Sequence, residues 1–311
     1  MNRIPISQIN QAIQQDTEQF IRQSEQQYAD QLIRVAQKIM KNRAEKPILL
    51  LSGPSGSGKT TSALRMEALL EGWGCDAMVL SMDNYYLPEA ETPAALNENG
   101  QVDYESPYRL DIPLLNDHLE KLSRCEPIQM PSFNFAKQCR ESGPTVCRKP
   151  DTLVILEGIH ALNPEVTGAA GDFTACIYVS VRTRLEKADG GLLHPSKIRL
   201  MRRLMRDRLF RGRKPEDTFS LFRSVSRGET LYIMPHKHRA TYEIDTLIPY
   251  EACIYKAMLL PELKTLLETC PQYAEYADIA AFLEELQSIP DAMVPERSLV
   301  REFIGGSTFS Y

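Results

Sequence analysis

The eight residues Gly53-Pro54-Ser55-Gly56-Ser57-Gly58-Lys59-Thr60 carry the clearest chemistry in this chain. They fit the spacing G-x-x-x-x-G-K-[ST] and follow the apolar run Pro47-Ile48-Leu49-Leu50-Leu51. A strand, a glycine loop and a helix in that order form a phosphate cradle. Glycines let consecutive backbone N–H groups turn toward phosphate oxygens, and a helix starting near Lys59 adds the positive end of its dipole. Lys59 would reach the β- and γ-phosphates of ATP, the Thr60 hydroxyl would take one place on Mg²⁺, and Thr61 would join the loop in holding the nucleotide. Two carboxylates stand where strands end. Glu157 follows Leu153–Leu156 and precedes Gly158, a place from which a carboxylate orients a metal ion or its waters; Asp83 ends the strand expected over 77–82 and faces the crevice where an attacking hydroxyl would lose its proton. Residues 197–214 hold seven arginines and two lysines against one aspartate. Arginines closing over a transferring phosphoryl group stabilise its charge and exclude water, so Arg203, Arg206, Arg211 and Arg213 read as a lid with Gly212 as its hinge.

Such groups need a frame. The sequence predicts strands at 47–52, 77–82, 153–156, 175–181 and 244–248, alternating with helices at 60–71, 113–124, 195–211, 251–268 and 273–287. This alternation implies an α/β fold, a parallel sheet sandwiched by helices. Residues 7–42 lack glycine and proline and put Ile9, Ile13, Phe20, Tyr28, Leu32, Val35 and Ile39 near one face, as an amphipathic helix or helix pair. That face packs either on the domain that follows or on a second copy in a homo-oligomer. Residues 83–150 read as a long, Pro- and turn-rich functional stretch around one helix. The expected organisation is an N-terminal extension (1–44), a nucleotide-binding domain with its lid at 197–217 (45–268), and a C-terminal helix and tail (269–311).

A net charge of −5 over 311 residues argues against a general nucleic-acid binder and for small polar partners. Seven cysteines without a C-x-x-C pair fit a thiol-reducing cytoplasm, and no apolar run approaches a membrane span.

The ordered set Gly53–Thr60, Ser81-Met82-Asp83-Asn84-Tyr85-Tyr86, Leu156-Glu157-Gly158-Ile159-His160, Arg203-Leu204-Met205-Arg206-Asp207 with Arg211-Gly212-Arg213, and Ile244-Asp245-Thr246-Leu247-Ile248-Pro249 resembles the uridine kinase/phosphoribulokinase group of P-loop kinases. Glu157–Asn163 and the tail Ser298–Ser307 look like those of the longer bacterial uridine kinase-like nucleoside kinases. The resemblance implies a P-loop NTPase-type fold and ATP- and Mg²⁺-dependent phosphorylation of a small molecule. It implies Asp83 as general base, Thr60 and Glu157 at the metal, Lys59, Arg203 and Arg206 at the transferring group, and Arg211 and Arg213 in the lid. Tyr86 and Arg203 belong with the acceptor, and Glu105 falls where uridine kinases place an aspartate on the ribose hydroxyls. The base-reading segment departs from their pattern: Phe133-Asn134-Phe135 and Gln138 replace a Tyr-Asp-Phe run and a histidine, while Arg140 is retained. Two hydrogen-bonding groups are thereby lost from a pocket that would read a pyrimidine. The acceptor is read first as a nucleoside attacked through its 5′-hydroxyl; another polyol or sugar phosphate, or a regulatory NTPase with no small acceptor, are the alternatives. His160 is read as a structural hydrogen-bonding residue.

Overall fold

The computed structural model describes residues 2–92, 96 and 102–310. A short strand β1 (Arg3–Pro5) leads into the long helix α1 (Ile6–Asn42), then β2 (Ile48–Ser52), α2 (Lys59–Gly72) and β3 (Ala77–Ser81). After an irregular stretch come α3 (Ile112–Ser123), β4 (Pro127–Asn134), β5 (Cys139–Cys147), β6 (Leu153–Glu157), the single turn α4 (Pro164–Thr167) and β7 (Thr174–Ser180). β8 (Arg184–Glu186) and β9 (Leu192–Leu193) precede α5 (Pro195–Arg211), α6 (Pro215–Gly228) and β10 (Tyr242–Asp245). The chain closes with α7 (Glu251–Thr269), α8 (Ala277–Glu285) and α9 (Arg301–Ile304).

Five strands form one parallel sheet in the order β10-β7-β2-β6-β3. β2 is central and apolar on both sides. Leu49 and Leu51 face a core built with α1, α2, α5, α7 and α8, whereas Ile48 and Leu50 face a second core with α3 and β4. A strand covered on both faces needs no polar alternation, which is why this one reads as a continuous apolar run. Its neighbours β6 and β7 flank it, so the loop that leaves β2 emerges at the middle of the sheet's carboxyl edge.

Residues 6–42 are a helix pair. Asp16 leaves the helical region (φ −164°, ψ 97°), and its carboxylate accepts the Gln19 N–H at 2.9 Å, capping the second segment. The apolar face, including Ile21, Tyr28, Leu32 and Ile39, is buried in the core of its own chain. Gln31 also completes the sheet edge: its amide accepts the Asp245 N–H at 2.9 Å and donates to the Asp245 carbonyl at 3.0 Å, as a neighbouring strand would.

Three expectations shift. β4 and β5 pair as an antiparallel hairpin within the stretch read as irregular. Pro127, Pro131, Gly143 and Pro144 and a mostly exposed second strand hide the alternation that marks a ladder. The last strand spans 242–245 rather than 244–248. Its Asp245 carboxylate gathers the N–H groups of Arg182, Thr183 and Leu247, turning the chain out of the sheet. The helix expected at 273–287 is α8 alone, preceded by a 3₁₀ segment over Pro271–Tyr276. Among the described residues no helix is long and apolar enough to cross a membrane.

Candidate active site

The phosphate loop runs from Gly53 to Gly58 between β2 and α2. A β-carbon at Gly53 would lie 2.0 Å from the Val179 carbonyl oxygen, so only glycine lets the loop pass β7. Gly58 has φ 81°, a left-handed conformation that turns the chain into the first turn of α2. Buried arginines brace this loop from behind. Arg199 donates to the Ser55 carbonyl at 3.1 Å, and Arg202 to the Gly56 carbonyl at 3.0 Å. Arg202 and its partner Glu251 are both fully buried, joined through Nε and a second guanidinium nitrogen at 2.7 and 2.9 Å. These bonds tie the Ser55 and Gly56 carbonyls to α5, while the Ser57 N–H closes onto the Pro54 carbonyl at 3.1 Å. Arg199 and Arg202 were merged into the lid run in the sequence; their burial and bracing role had no sequence signal beyond the helical spacing of a basic stretch.

The two strand-end carboxylates meet because their strands are neighbours. Ser81 and Glu157 are cross-strand partners in the β3–β6 ladder, and the Ser81 hydroxyl donates to Glu157 at 3.2 Å while accepting the Asp83 N–H at 3.3 Å. Ser81 therefore links both acids, a role its lone position in the sequence did not suggest. Asp83 is open to the cleft, yet the protein around it desolvates its carboxyl enough to raise its pKa against the pull of Lys59 and Arg206. Burial raises Glu157 to about 7, and burial raises Glu105 to about 7, in both cases against Lys59. Lys59 is the cation common to all three acids, so Asp83, Glu157 and Glu105 lie within electrostatic reach of the phosphate loop's lysine.

Around Glu105 the wall is built by α6 and the turn after it. A β-carbon at Gly228 would fall 2.3 Å from that of Glu105. Buried Asp103 accepts the Glu105 N–H at 3.1 Å, the Tyr232 hydroxyl at 2.9 Å and the Arg227 guanidinium at 3.1 Å. Asp103, Arg227 and Tyr232 went unnoticed in the sequence, where nothing brings residue 103 near residues 227–232. His160 is 1% exposed, and its ring meets Tyr232 edge-on at 6.2 Å. Burial lowers its imidazole pKa to about 4, against a hydrogen bond with the Glu105 backbone, and keeps it neutral.

Tyr86, Phe133 and Phe135 form an aromatic cluster with ring centroids 5.0–5.9 Å apart. Arg140 is the cross-strand partner of Phe133 and pairs with Asp111 at 2.9 Å, its buried Nε and Nη2 having no hydrogen-bond partner among the described residues. Gln138 sits at the exposed turn of the hairpin, its amide donating to the Phe135 carbonyl at 2.8 Å.

The arginine run divides by burial. Arg203 donates to the Ser55 hydroxyl at 2.8 Å, and desolvation lowers it to about 10, still a cation at neutral pH. Arg211 and Arg213 are drawn to the buried Asp207 at 2.9 and 3.5 Å, so the single acid of the run gathers both. Gly212 caps α5 with φ 60° between the two helices. The Thr61 hydroxyl is engaged by Glu302 of α9 at 2.5 Å. Glu157 at the end of β6 and Thr60 in the first turn of α2 carry hard oxygen donors. One carboxylate with a hydroxyl suits Mg²⁺, which takes its remaining ligands from water and phosphates.

A parallel sheet with this loop at its central strand and acids at the neighbouring strand ends defines a P-loop kinase fold. The chain belongs to the phosphoribulokinase/uridine kinase family, whose sequence model matches residues 48–250. A uridine kinase of Geobacillus sp. strain WCH70 is 31% identical over 229 residues, 72% of this chain and 97% of its own length. That of Deinococcus deserti is 32% identical over 206 residues, 65% of this chain and 87% of its own. The solved structure of a possible uridine kinase from Bacillus stearothermophilus covers 70% of this chain and 98% of its own, at 16% identity and a TM-score of 0.49.

Proposed function

We propose that the protein transfers the γ-phosphoryl group of ATP, with Mg²⁺, to a hydroxyl of a small polar acceptor. The observation that carries this reading is the pairing of Asp83 and Glu157 about Ser81 at the ends of adjacent strands β3 and β6, with Lys59 of the phosphate loop in electrostatic reach of both and of Glu105. In it Asp83 takes the proton of the attacking hydroxyl, Glu105 holds neighbouring hydroxyls of the acceptor, and Lys59, Arg203 and Arg206 face the charge on the transferring group. Thr60 and Glu157 would hold Mg²⁺, which when bound neutralises phosphate charge; a cation there also favours the ionised form of Glu157. Arg211 and Arg213 close the lid over Asp207. Membership of a family whose relatives include named uridine kinases supports a nucleoside, attacked through its 5′-hydroxyl, as the acceptor. A second reading, another polyol or a sugar phosphate, is favoured by the aromatic cluster of Phe133 and Phe135 and by Gln138 at the exposed turn, which supply no polar reader for a pyrimidine. A panel of nucleosides, polyols and sugar phosphates assayed for acceptor-dependent ADP formation separates them. A nucleoside that drives ADP release supports the first reading, and release driven only by polyols or sugar phosphates supports the second; no response to any acceptor contradicts both.

A further inference from the structure

The C-terminal segment reaches the phosphate loop itself. Leu299 is fully buried, and a β-carbon on Gly58 would meet its Cδ1 at 2.6 Å, so the side chain lies directly on the last glycine of the loop. Phe303 is equally buried beneath the guanidinium of Arg202, which stands 5.2 Å above its ring. Upstream, the Ser298 hydroxyl donates to Glu25 of α1 at 2.6 Å, and Tyr250 at the start of α7 donates to the same oxygen at 2.7 Å. Fixed between these anchors, the Glu302 side chain is 9% exposed. One of its oxygens accepts the Thr61 hydroxyl at 2.5 Å, and the other faces an Arg206 nitrogen at 4.0 Å.

Arg206 has two carboxylates within its field, Glu302 and Asp83. Among the described residues its ion pair is with Glu302. A base that must take a proton from a hydroxyl works only while its lone pairs are free, and a guanidinium that closed on it as a bidentate pair would occupy them. Glu302, whose second oxygen accepts the Thr61 hydroxyl, offers Arg206 a carboxylate on α9 in place of Asp83. Resting on the phosphoryl-transfer reading above, we propose that the C-terminal segment Ser298–Gly306 is a working part of the site, with Glu302 a positioning residue that holds Arg206 off Asp83 and over the transferring group.

Glu302→Gln keeps an acceptor for Thr61 and removes the charge that draws Arg206. It is expected to lower kcat by roughly tenfold or more, the scale of one charge-assisted contact, with the KM of nucleotide and acceptor nearly unchanged. In an Arg206→Gln background the same substitution should then add almost nothing, because its target is gone. Leu299→Ala loosens the segment while keeping the carboxylate, and should lower kcat in the same direction with the same dependence on Arg206. Wild-type kcat in Glu302→Gln, or losses that multiply independently in the double variant, would overturn the inference. Lys59→Ala serves as the blank: wild-type turnover above that blank with an indifferent Glu302→Gln sinks only the role of Glu302, whereas a wild type no better than the blank sinks the phosphoryl-transfer reading with it.

Discussion

The two ends of the cleft are built on opposite principles. Behind the phosphate loop, buried charge is compensated: Arg202 has Glu251, and Arg199 has Glu229 at 2.5 Å and the Ser55 carbonyl. At the proposed acceptor end, desolvation outweighs the neighbouring cations at Asp83 and Glu105 and raises both, and it lowers His160. A rigid cradle suits a ligand that is always the same polyphosphate, since its donors need no reorganisation when it arrives. Desolvated ionisable groups suit a ligand whose own hydroxyls and charge complement them, at a cost in stability until it binds.

Substitutions can break this contrast, and the largest effects are expected at the reacting groups. Lys59→Ala and Asp83→Asn should each lower kcat by about 10²–10⁴-fold. Only the first should also weaken nucleotide binding, which titration with a fluorescent ATP analogue would show. At the braced end, Arg202→Ala leaves Glu251 buried without its cation and should cost about 3–5 kcal/mol of stability by denaturant unfolding. A much smaller loss would mean that the bracing is dispensable.

At the acceptor end the effects concern pH. Ionised, Glu105 accepts from hydroxyls on both oxygens with charge-assisted bonds; protonated, it loses one acceptor and the charge, and burial raises it to about 7. The acceptor kcat/KM should therefore fall as pH drops through about 7, and Glu105→Gln should be slow but lack that limb. An unchanged limb in the variant would assign it elsewhere. The smallest effect is on stability. A carboxyl whose pKa is higher folded than unfolded stabilises the fold most when protonated and loses that advantage as pH rises from about 4.5 to about 7. Glu157→Gln, assayed without Mg²⁺, should thus raise the thermal midpoint by a few degrees at pH 8 and by less at pH 5. A lower midpoint at pH 8 would show that Glu157 is already paired.

The same contrast decides what could be read from the chain. The loop is local, so Gly53–Thr60 with its flanking strand and helix announces itself in sequence. Asp83 and Glu157 were found because strand ends of a parallel sheet converge, and Ser81 follows from the β3–β6 register that sequence alone does not give. What remained hidden is nonlocal. Asp103 meets Arg227 and Tyr232 from across the fold, and Glu302 meets Thr61 over 241 positions. The hairpin was missed because proline and exposure mask its period. The N-terminal helix was legible as amphipathic, but its break needed the capping role of Asp16.

The central claim is that Asp83 accepts a proton from an acceptor hydroxyl beside a preformed phosphate loop. Rapid-quench measurement of acceptor phosphorylation in a single turnover, with wild type and Asp83→Asn at saturating ATP, Mg²⁺ and the best acceptor of the panel, tests it most directly. Both proteins should bind nucleotide normally, and the chemical step should be slower by at least about 10²-fold in the variant. An equal rate of phosphoryl transfer in Asp83→Asn would contradict it.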